Sequence, residues 1–556
     1  MRRFAVFAVL VGACGPHAAK PPVDAGPPPA FAGVEPFAHA PTLERVSAKV
    51  AFDFAAQRLT GDATLTIRDD GIAEFPIVFD AHIAGIGGFD LDELSQDGVQ
   101  CRWEVYGRDQ KMVVVRVPAP AKTIRLRLRW KGSPTPGLGR GFLLPDEALL
   151  LDIEGWLPFL PSTDATIDLE ASWPEGFEVI LEGTPGKPAP AGKGRLSVRT
   201  SFHSNAGTTV FARPKYAVRR FDLGGTPALV AAPPAMANAL PGMEERVRAA
   251  YRALTPIGPL PPCELRVVQS TMTNARIEAF GGRSFIAFRS ADPEVSLLAH
   301  EMAHSWFGGT IFAATVADDV LGRKAVRTEL WPESLAEYAS TWSMDERAFL
   351  GRRRLWFGSY AGEFGESIIL GRSVASYTRA PLLLAGIEHR VGRPKMEAAL
   401  AAFVVKNRGR RAEWKDVIDA ISAQAGAAEA ADLRAWIGTP GAPDLRLTDI
   451  VIENGVLTGT LAQTSDPPYP GTLELGFFAE SVDETPKTPL SVHAFKLTGA
   501  ETPVRLEIPK GAKTLLLDPA ILVPRAIVDP STPGVLAVPL DRELPRAKSG
   551  WFLTPP

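Results

Sequence analysis

The chain has 556 residues, of which 46% are hydrophobic and 22% are charged, and its formal net charge is −3. Single hydrophobic cores stop growing near about 250–300 residues, so this length predicts several domains. The near-neutral charge, without a long basic run, argues against nucleic acid as a partner. Three cysteines are too few for a disulfide framework, and 50 prolines and 50 glycines indicate many turns.

The N-terminus has the composition of an export signal followed by a tether. Residues 1–13 combine a short basic start with an apolar run that is too short to span a bilayer. This run ends at Cys14 in a sequence that resembles a bacterial lipobox, although an ordinary secretory signal with an incidental cysteine is the alternative. Residues 14–41 are rich in proline and alanine, as in extended tethers. We therefore expect an exported protein, anchored through lipidated Cys14, with the outer membrane favoured.

Residues 42–214 consist of short segments in which apolar and polar residues alternate, for example residues 46–54, 63–68 and 123–130. A period of two indicates half-buried strands, so this region is predicted to be an N-terminal β-sandwich. Cys101 lies here and Cys263 lies further on. The two could pair in an oxidising compartment, but the sequence leaves their pairing open.

Residues 215–443 mix the two periodicities, and residues 444–556 return to alternation before an uninformative tail. The fold class is therefore predicted to be multidomain α+β, with an α/β catalytic domain followed by a small C-terminal β-sandwich. The predicted helices span residues 243–254, 328–344, 380–391, 395–405 and 414–423, and the predicted strands span 264–268, 283–288, 455–461, 471–478 and 504–508.

An H-E-x-x-H pattern lies inside an apolar, helix-compatible run at residues 297–309. On a helix, His300 and His304 project from one face, about 5–6 Å apart at their Cβ atoms, which suits two ligands of one tetrahedral zinc. Glu301 points to the neighbouring side, where a carboxylate can take a proton from water without binding the metal. The alternative is a chance pattern on a solvated face. However, an unligated histidine pair is costly to bury among apolar residues such as Trp306.

A catalytic zinc takes three protein ligands and keeps one open position. Candidates for the third ligand are Glu329, Glu333 and Glu337, which follow one another at intervals of four residues and are predicted to share one helix face. The same spacing fits a solvated acidic stripe, so spacing alone does not select one of them.

Residues 300–309, H-E-M-A-H-S-W-F-G-G, and residues 330–338, L-W-P-E-S-L-A-E-Y, resemble the gluzincin family of zinc metalloaminopeptidases, which includes aminopeptidase N and leukotriene hydrolase. Residues 377–384, residues 433–445 and the stretch Trp156–Pro161 followed by Asp164 are also similar to family motifs. The resemblance covers about residues 42–445. It implies a thermolysin-like catalytic domain at residues 215–443, one Zn²⁺ and a peptide substrate.

The resemblance also implies roles for individual residues. It makes Glu333 the third zinc ligand beside the two histidines, Glu301 the general base, and Tyr377 the donor that stabilises the oxyanion. Glu337 becomes a neighbour of the ligands that does not bind the metal. Arg379 replaces a lysine that the family usually has after the tyrosine, which leaves the role of the tyrosine intact.

Two departures from the family concern the entrance to the site. The 28 residues from Ser305 to Pro332 exceed the usual spacing, and strict spacing would put Arg323 at the ligand position. An insertion around residues 315–326, tolerable in a loop, accounts for this because arginine cannot bind zinc. In the loop that recognises a free α-amine in the family, only Glu278 is a candidate anchor. An ordinary loop carboxylate is the alternative for Glu278.

These features predict a zinc-dependent metallopeptidase, and within that class an aminopeptidase that removes N-terminal residues from peptides. One alternative is a zinc peptidase that does not require a free amine. The other is a lipid-anchored binding or scaffold protein with a decayed site. The sequence leaves open the residue preference of the substrate pocket, the oligomeric state and the role of the C-terminal sandwich.

Overall fold

The structure is a computed structural model that describes residues 41–540 apart from short segments. The predicted signal, most of the tether with Cys14, and the tail from residue 541 lie outside the described residues. The segments that are not described are residues 69–70, 72, 83–86, 107–111, 136–140, 152–154, 161–163, 184–185, 205–206, 272–277, 314, 321–322, 360–367, 369–372, 440–441, 444, 464–467, 482–487, 498 and 525–536.

Fifteen strands in the N-terminal region form three sheets around one core. They are β1 (Thr42–Asp53), β2 (Arg58–Arg68), β3 (Glu74–Val78), β4 (Phe89–Gln96), β5 (Val99–Gln100), β6 (Arg102–Tyr106), β7 (Met112–Arg116), β8 (Thr123–Gly132), β9 (Phe142–Leu143), β10 (Ala148–Leu150), β11 (Ala165–Pro174), β12 (Glu178–Leu181), β13 (Ala189–Pro190), β14 (Arg195–Ser204) and β15 (Val210–Arg213).

The largest sheet has the order β13-β14-β11-β1-β2-β8-β4-β5, and the smaller sheets are β12-β15-β10-β9 and β3-β7-β6. Strand β8 alternates exposed and buried residues along most of its length, as its sequence predicts. The buried faces of all three sheets meet in one hydrophobic cluster, which includes Trp130 and Trp156. Layered sheets around a shared core agree with the predicted sandwich.

A five-stranded sheet follows, with two helices. The elements are β16 (Ala217–Leu223), β17 (Thr226–Ala232), α1 (Leu240–Leu254), β18 (Leu265–Gln269), β19 (Ala279–Gly281), β20 (Phe285–Phe288) and α2 (Val295–Ala303). The order is β16-β17-β18-β20-β19, in which β17, β18 and β20 are parallel and the two edge strands are antiparallel to their neighbours. Helix α2 packs against β19 and β20 at this edge.

The predicted insertion is a β-hairpin and not a loop, which corrects the expectation. After β21 (Phe312–Ala313) come β22 (Thr315–Val320) and β23 (Arg323–Thr328), which pair with each other from Thr315 opposite Thr328 to Val320 opposite Arg323. Strand β21 pairs in parallel with β24 (Arg411–Ala412). Because the first and last hairpin residues are paired, the insertion leaves the chain and returns to it at one place.

The described chain divides into two units. The first extends to Thr328 and includes Asn407–Ala412, and the second comprises Glu329–Lys406 and the chain from Glu413 onward. The division falls inside the predicted catalytic domain, and the predicted domain boundaries stay a prediction.

The second unit contains helices followed by two small sheets, β25-β26-β29 and β28-β27-β30-β31. The helices are α3 (Trp331–Ser340), α4 (Glu346–Ser359), α5 (Ser373–Tyr377), α6 (Arg379–Val391), α7 (Arg393–Asn407), α8 (Trp414–Ala425) and α9 (Ala427–Gly438). The strands are β25 (Leu445–Glu453), β26 (Val456–Gln463), β27 (Gly471–Phe478), β28 (Ser491–Leu497), β29 (Glu501–Glu507), β30 (Thr514–Leu517) and β31 (Ala537–Pro539). Together with the first unit, this arrangement confirms the multidomain α+β class.

Two smaller points bear on the sequence expectations. Cys101 and Cys263 are both free thiols, the first buried and the second half-buried. None of the helices among the described residues is long and apolar enough to cross a membrane.

Candidate metal centre

Helix α2 places the two histidines as the sequence predicts. His300 lies in its last turn and His304 caps its C-terminus with helical backbone angles, so both rings project from one face. The Nε2 atoms of His300 and His304 are 3.3 Å apart. Two nitrogens at about 2.0–2.1 Å from one tetrahedral zinc are separated by about 3.3–3.4 Å. The pair therefore already has the spacing that a shared metal needs.

A backbone carbonyl fixes the tautomer of His304. Its Nδ1 lies 3.0 Å from the carbonyl oxygen of Phe307, an atom that can only accept a hydrogen bond. Nδ1 therefore carries the hydrogen of the neutral ring, and Nε2 keeps its lone pair for a metal. This contact of a candidate ligand could not be predicted from the sequence, because a backbone carbonyl leaves no side-chain pattern.

Two glycines, Gly281 and Gly309, allow the backbone to pass very close to α2 and its C-cap. A Cβ at Gly281 would lie 2.3 Å from the carbonyl oxygen of Glu301, and one at Gly309 would lie 2.5 Å from that of His304 and 2.7 Å from the Cα of Arg283. Gly309 stands where the resembling family has asparagine, and in this chain there is no space for that side chain. Arg283 in turn bonds Asp164 at 3.1 Å, so the N-terminal motif reaches the same neighbourhood.

The third candidate ligand lies on α3. This helix begins at Trp331, where Pro332 supplies a backbone angle suited to the first turn. Glu329 therefore precedes the helix, and the prediction that all three glutamates share one helix face is wrong. One ligand atom each of His300, His304 and Glu333 lie within 4.8 Å of one another.

The other two glutamates have different partners. Glu329 accepts the N–H of Trp414, the first residue of α8, at 2.7 Å, and its burial raises its pKa to about 7. Glu337 accepts hydrogen bonds from Arg352 Nη1 at 2.9 Å and Trp356 Nε1 at 2.8 Å, both on α4. Of the three acidic residues, Glu329 thus bonds the start of α8, Glu337 bonds α4, and Glu333 is the metal-ligand candidate.

Glu301 and Tyr377 are the residues expected to act on the substrate. Glu301 lies beside His300 on α2 and is 7% exposed. Tyr377 is the last residue of α5 and is half-buried, and α5 packs against α3. The catalytic roles of both residues stay predictions.

Glu278, the candidate amine anchor, follows residues 272–277, which are not described. Its carboxylate forms an ion pair with Arg289, and its carbonyl oxygen accepts the N–H of Arg289 at 2.9 Å. Both side chains are about one-third exposed. Arg289 could not be predicted from the sequence as the partner of Glu278, because it is the antiparallel pairing of β19 and β20 that brings the two residues together.

Two imidazole nitrogens and one carboxylate form the donor set of a catalytic zinc site. Their spacing, and the tautomer imposed on His304, fit that metal. Among the described residues these three are the group of His, Cys, Asp and Glu side chains that could hold a metal ion.

The chain has the fold of solved zinc peptidases. It is similar to the M1 zinc metallopeptidase from Deinococcus radiodurans, with a TM-score of 0.58, 18% identity and coverage of 73% of this chain and 95% of that chain. A mutant of that enzyme bound to a Tyr-Ser-Ala substrate gives a TM-score of 0.57 at 18% identity and the same coverage.

Legionella pneumophila aminopeptidase A, in complex with aspartic acid, gives a TM-score of 0.69 at 12% identity over 88% of this chain and 59% of that chain. No protein-family model matches the sequence, and no curated protein matches it. The fold implied by the gluzincin resemblance is therefore confirmed.

Proposed function

From the fold of the M1 zinc metallopeptidases, we propose that this chain is a zinc-dependent metallopeptidase. The observation that carries the proposal is the convergence of His300, His304 and Glu333, whose ligand atoms lie within 4.8 Å of one another. The two histidines belong to α2 and its C-cap, and the same helix carries Glu301, which we propose as the general base. The same three residues would hold the zinc ion.

A zinc ion bound by these residues would supply Lewis acidity, which is the chemistry that peptide hydrolysis requires. Glu301 accepts the proton of the attacking water and delivers it to the leaving amine. Tyr377 donates a hydrogen bond to the oxygen on which negative charge develops. Burial of Glu301 among apolar residues of α2 excludes bulk water and strengthens these electrostatic interactions.

Within this class we propose an aminopeptidase, with Glu278 as the anchor for the α-amine of a peptide. Support comes from the aminopeptidase-like motifs and from the similar structures that hold a peptide or an amino acid. Glu278 directly precedes β19, the edge strand that packs against α2. An ionised carboxylate there can pair with an ammonium group.

A peptidase that does not require a free amine is the second candidate, and one observation favours it. The Glu278 carboxylate is already paired with Arg289, so an incoming ammonium group has to displace a guanidinium. The pair is about one-third exposed, and such pairs contribute at most about 1 kcal/mol. An ammonium group can therefore displace the Arg289 guanidinium, but the free energy that this costs lowers the preference for a free amine.

The deciding experiment combines metal analysis with peptide hydrolysis on the purified protein. We expect one zinc per chain, hydrolysis of aminoacyl reporter substrates, and loss of that hydrolysis with a chelator followed by recovery with added zinc. If the purified protein binds no zinc and hydrolyses neither free nor N-blocked peptides, the proposal is wrong and a binding or scaffold function is favoured.

We also propose that the protein is exported and lipid-anchored through Cys14, on the basis of the lipobox-like residues 11–14. Cys14→Ser is expected to move the protein from the membrane fraction to the soluble fraction, and the mature wild type is expected to begin at a lipidated Cys14 by mass spectrometry. A mature N-terminus elsewhere, without lipid, contradicts this.

A further inference from the structure

The carboxylate of Glu388 joins several elements of the second unit. Its Oε2 accepts hydrogen bonds from the hydroxyl of Tyr338 and from Trp342 Nε1, the latter at 3.1 Å. Its Oε1 accepts a hydrogen bond from Arg393 Nε at 3.1 Å. The side chain of Glu388 is only 11% exposed, so these protein donors replace water.

Tyr338 ties Glu388 to the helix that carries the candidate ligand Glu333. Tyr338 lies five residues after Glu333 on α3, whereas Glu388 lies on α6, the helix that begins two residues after Tyr377. Tyr338 is fully buried, so its hydroxyl needs a partner inside the protein. The bond to Glu388 therefore fixes where α3 lies along α6.

A second donor at the end of α3 makes this attachment more rigid. Trp342 belongs to the 3₁₀ turn Thr341–Ser343, which directly follows α3, and its indole N–H reaches the same carboxylate oxygen as the Tyr338 hydroxyl. The rings of Tyr338 and Trp342 also pack edge to face, with centroids 5.8 Å apart. Two donors on one acceptor restrain both the rotation and the translation of α3.

Arg393, at the start of α7, forms an ion pair with this carboxylate, so that a third element of the second unit contacts Glu388. Its guanidinium also lies 5.9 Å from the centroid of the Trp342 ring. Tyr338, Trp342 and Arg393 therefore all donate to the carboxylate of Glu388, and replacing that carboxylate removes the shared acceptor of the three.

We propose that Glu388 is a positioning residue that holds Glu333 in place through Tyr338 and thereby sets the affinity of the protein for zinc. This inference rests on the proposed zinc site. Residues that orient a metal ligand typically change metal affinity by about 10–100-fold when they are mutated. Glu388 orients the helix of the ligand through the hydroxyl of Tyr338, and does so without touching the metal.

The test measures zinc dissociation constants of the full chain by competition with a chromophoric chelator. Tyr338→Phe removes one hydroxyl and keeps the ring, whereas Glu388→Gln keeps the shape but turns an amide towards one of its donors. Both variants are expected to bind zinc about 10–100-fold more weakly than the wild type. Glu429→Gln is the matched control, because Glu429 pairs with Arg390 of the same α6 but connects it to α9.

The same substitutions in a Glu333→Ala background separate positioning from general destabilisation. If Glu388 acts through Glu333, Glu388→Gln should not weaken zinc binding further once Glu333 is absent. Near-UV circular dichroism of the metal-free proteins shows whether each variant is folded, and Tyr338→Phe is the milder of the two.

Wild-type zinc affinity in folded Tyr338→Phe and Glu388→Gln would overturn this inference and leave the proposed function standing. The inference would also fail if Glu429→Gln weakened zinc binding equally. It would fail as well if Glu388→Gln still weakened zinc binding in the Glu333→Ala background. A wild type that binds no zinc would overturn the proposed function itself.

Discussion

The backbone of Gly281 lies so close to that of Glu301 that a Cβ on the glycine would be 2.3 Å from the glutamate carbonyl oxygen. At Gly281, edge strand β19 therefore approaches helix α2 with no side chain between the two backbones. This contact fixes the distance between Glu301, the proposed base, and the strand that follows Glu278.

Gly281→Ala is expected to destabilise the protein by about 1–3 kcal/mol, because the neighbouring atoms are backbone and cannot rotate away. Gly351→Ala is the control, since Gly351 is exposed on α4 and an added Cβ meets nothing within 4 Å. That control should be neutral or stabilising by up to about 1 kcal/mol. Thermal denaturation measures both, and equal melting temperatures for the two variants would contradict the packing argument.

Glu301→Gln is expected to keep zinc and to lower kcat by about 10²–10⁴-fold, because an amide cannot take the proton of the attacking water. Metal content and peptide hydrolysis are measured on the same preparation. Glu294→Gln, at the exposed start of α2, should leave both unchanged. A Glu301→Gln variant with wild-type turnover would remove Glu301 from the mechanism.

Tyr377→Phe is expected to lower kcat by about 10²–10³-fold with little change in KM, because its hydrogen bond forms as charge develops on the substrate oxygen. Tyr251→Phe on α1 is the matched hydroxyl deletion and should have wild-type kinetics. A rise in KM at constant kcat would show that Tyr377 binds the substrate without stabilising the transition state.

The Glu278–Arg289 pair decides between the two substrate classes. If Arg289 competes with the substrate amine, Arg289→Met should raise the preference for free over N-acetylated peptides about fivefold, and adding Glu278→Gln should cancel the gain. Comparing kcat/KM for the two substrates measures this preference. Arg248→Met, which breaks a pair on α1, should not alter the preference. A strong wild-type preference that Glu278→Gln abolishes would establish Glu278 as the amine anchor despite Arg289.

Glu329 makes stability depend on pH. Burial raises its pKa from 4.5 to about 7, so the folded state binds the proton more tightly than the unfolded state. This group therefore stabilises the fold less as pH rises from about 4.5 to about 7, by about 3 kcal/mol in total. Glu329→Gln keeps an acceptor for the Trp414 N–H and should raise the melting temperature at pH 8 but not at pH 4. Glu453→Gln, on the exposed part of β25, should change neither value, and identical pH profiles for wild type and Glu329→Gln would refute the assignment.

The pattern of apolar and polar residues was sufficient to predict secondary structure where a segment has one buried face. The alternation in β8 and the helical period in α1 appear in the structure close to their predicted bounds. Helix α4 was not predicted, because three consecutive arginines interrupt its apolar face. Its contacts are tertiary: Arg352 and Trp356 both bond Glu337 of α3.

The same limit applies to the candidate site. The spacing of His300 and His304 follows from helix geometry, so the sequence could predict it. The distinction between Glu329, Glu333 and Glu337 could not be drawn from spacing, because it depends on partners far along the chain, such as Trp414 and Trp356. The pairing of Glu278 with Arg289 was likewise inaccessible, since it follows from the register of β19 on β20.

The hairpin between Thr315 and Thr328 separates distance along the chain from distance in space. Its terminal residues are paired, so their Cα atoms lie about 4.5–5.5 Å apart, and twelve intervening residues add length without moving either end. A search pattern with a fixed gap between the histidines and the glutamate would select Arg323 and reject the chain. The hairpin is therefore a suitable site for an insertion: a label or an epitope could replace residues 316–327 while the elements on both sides keep their positions.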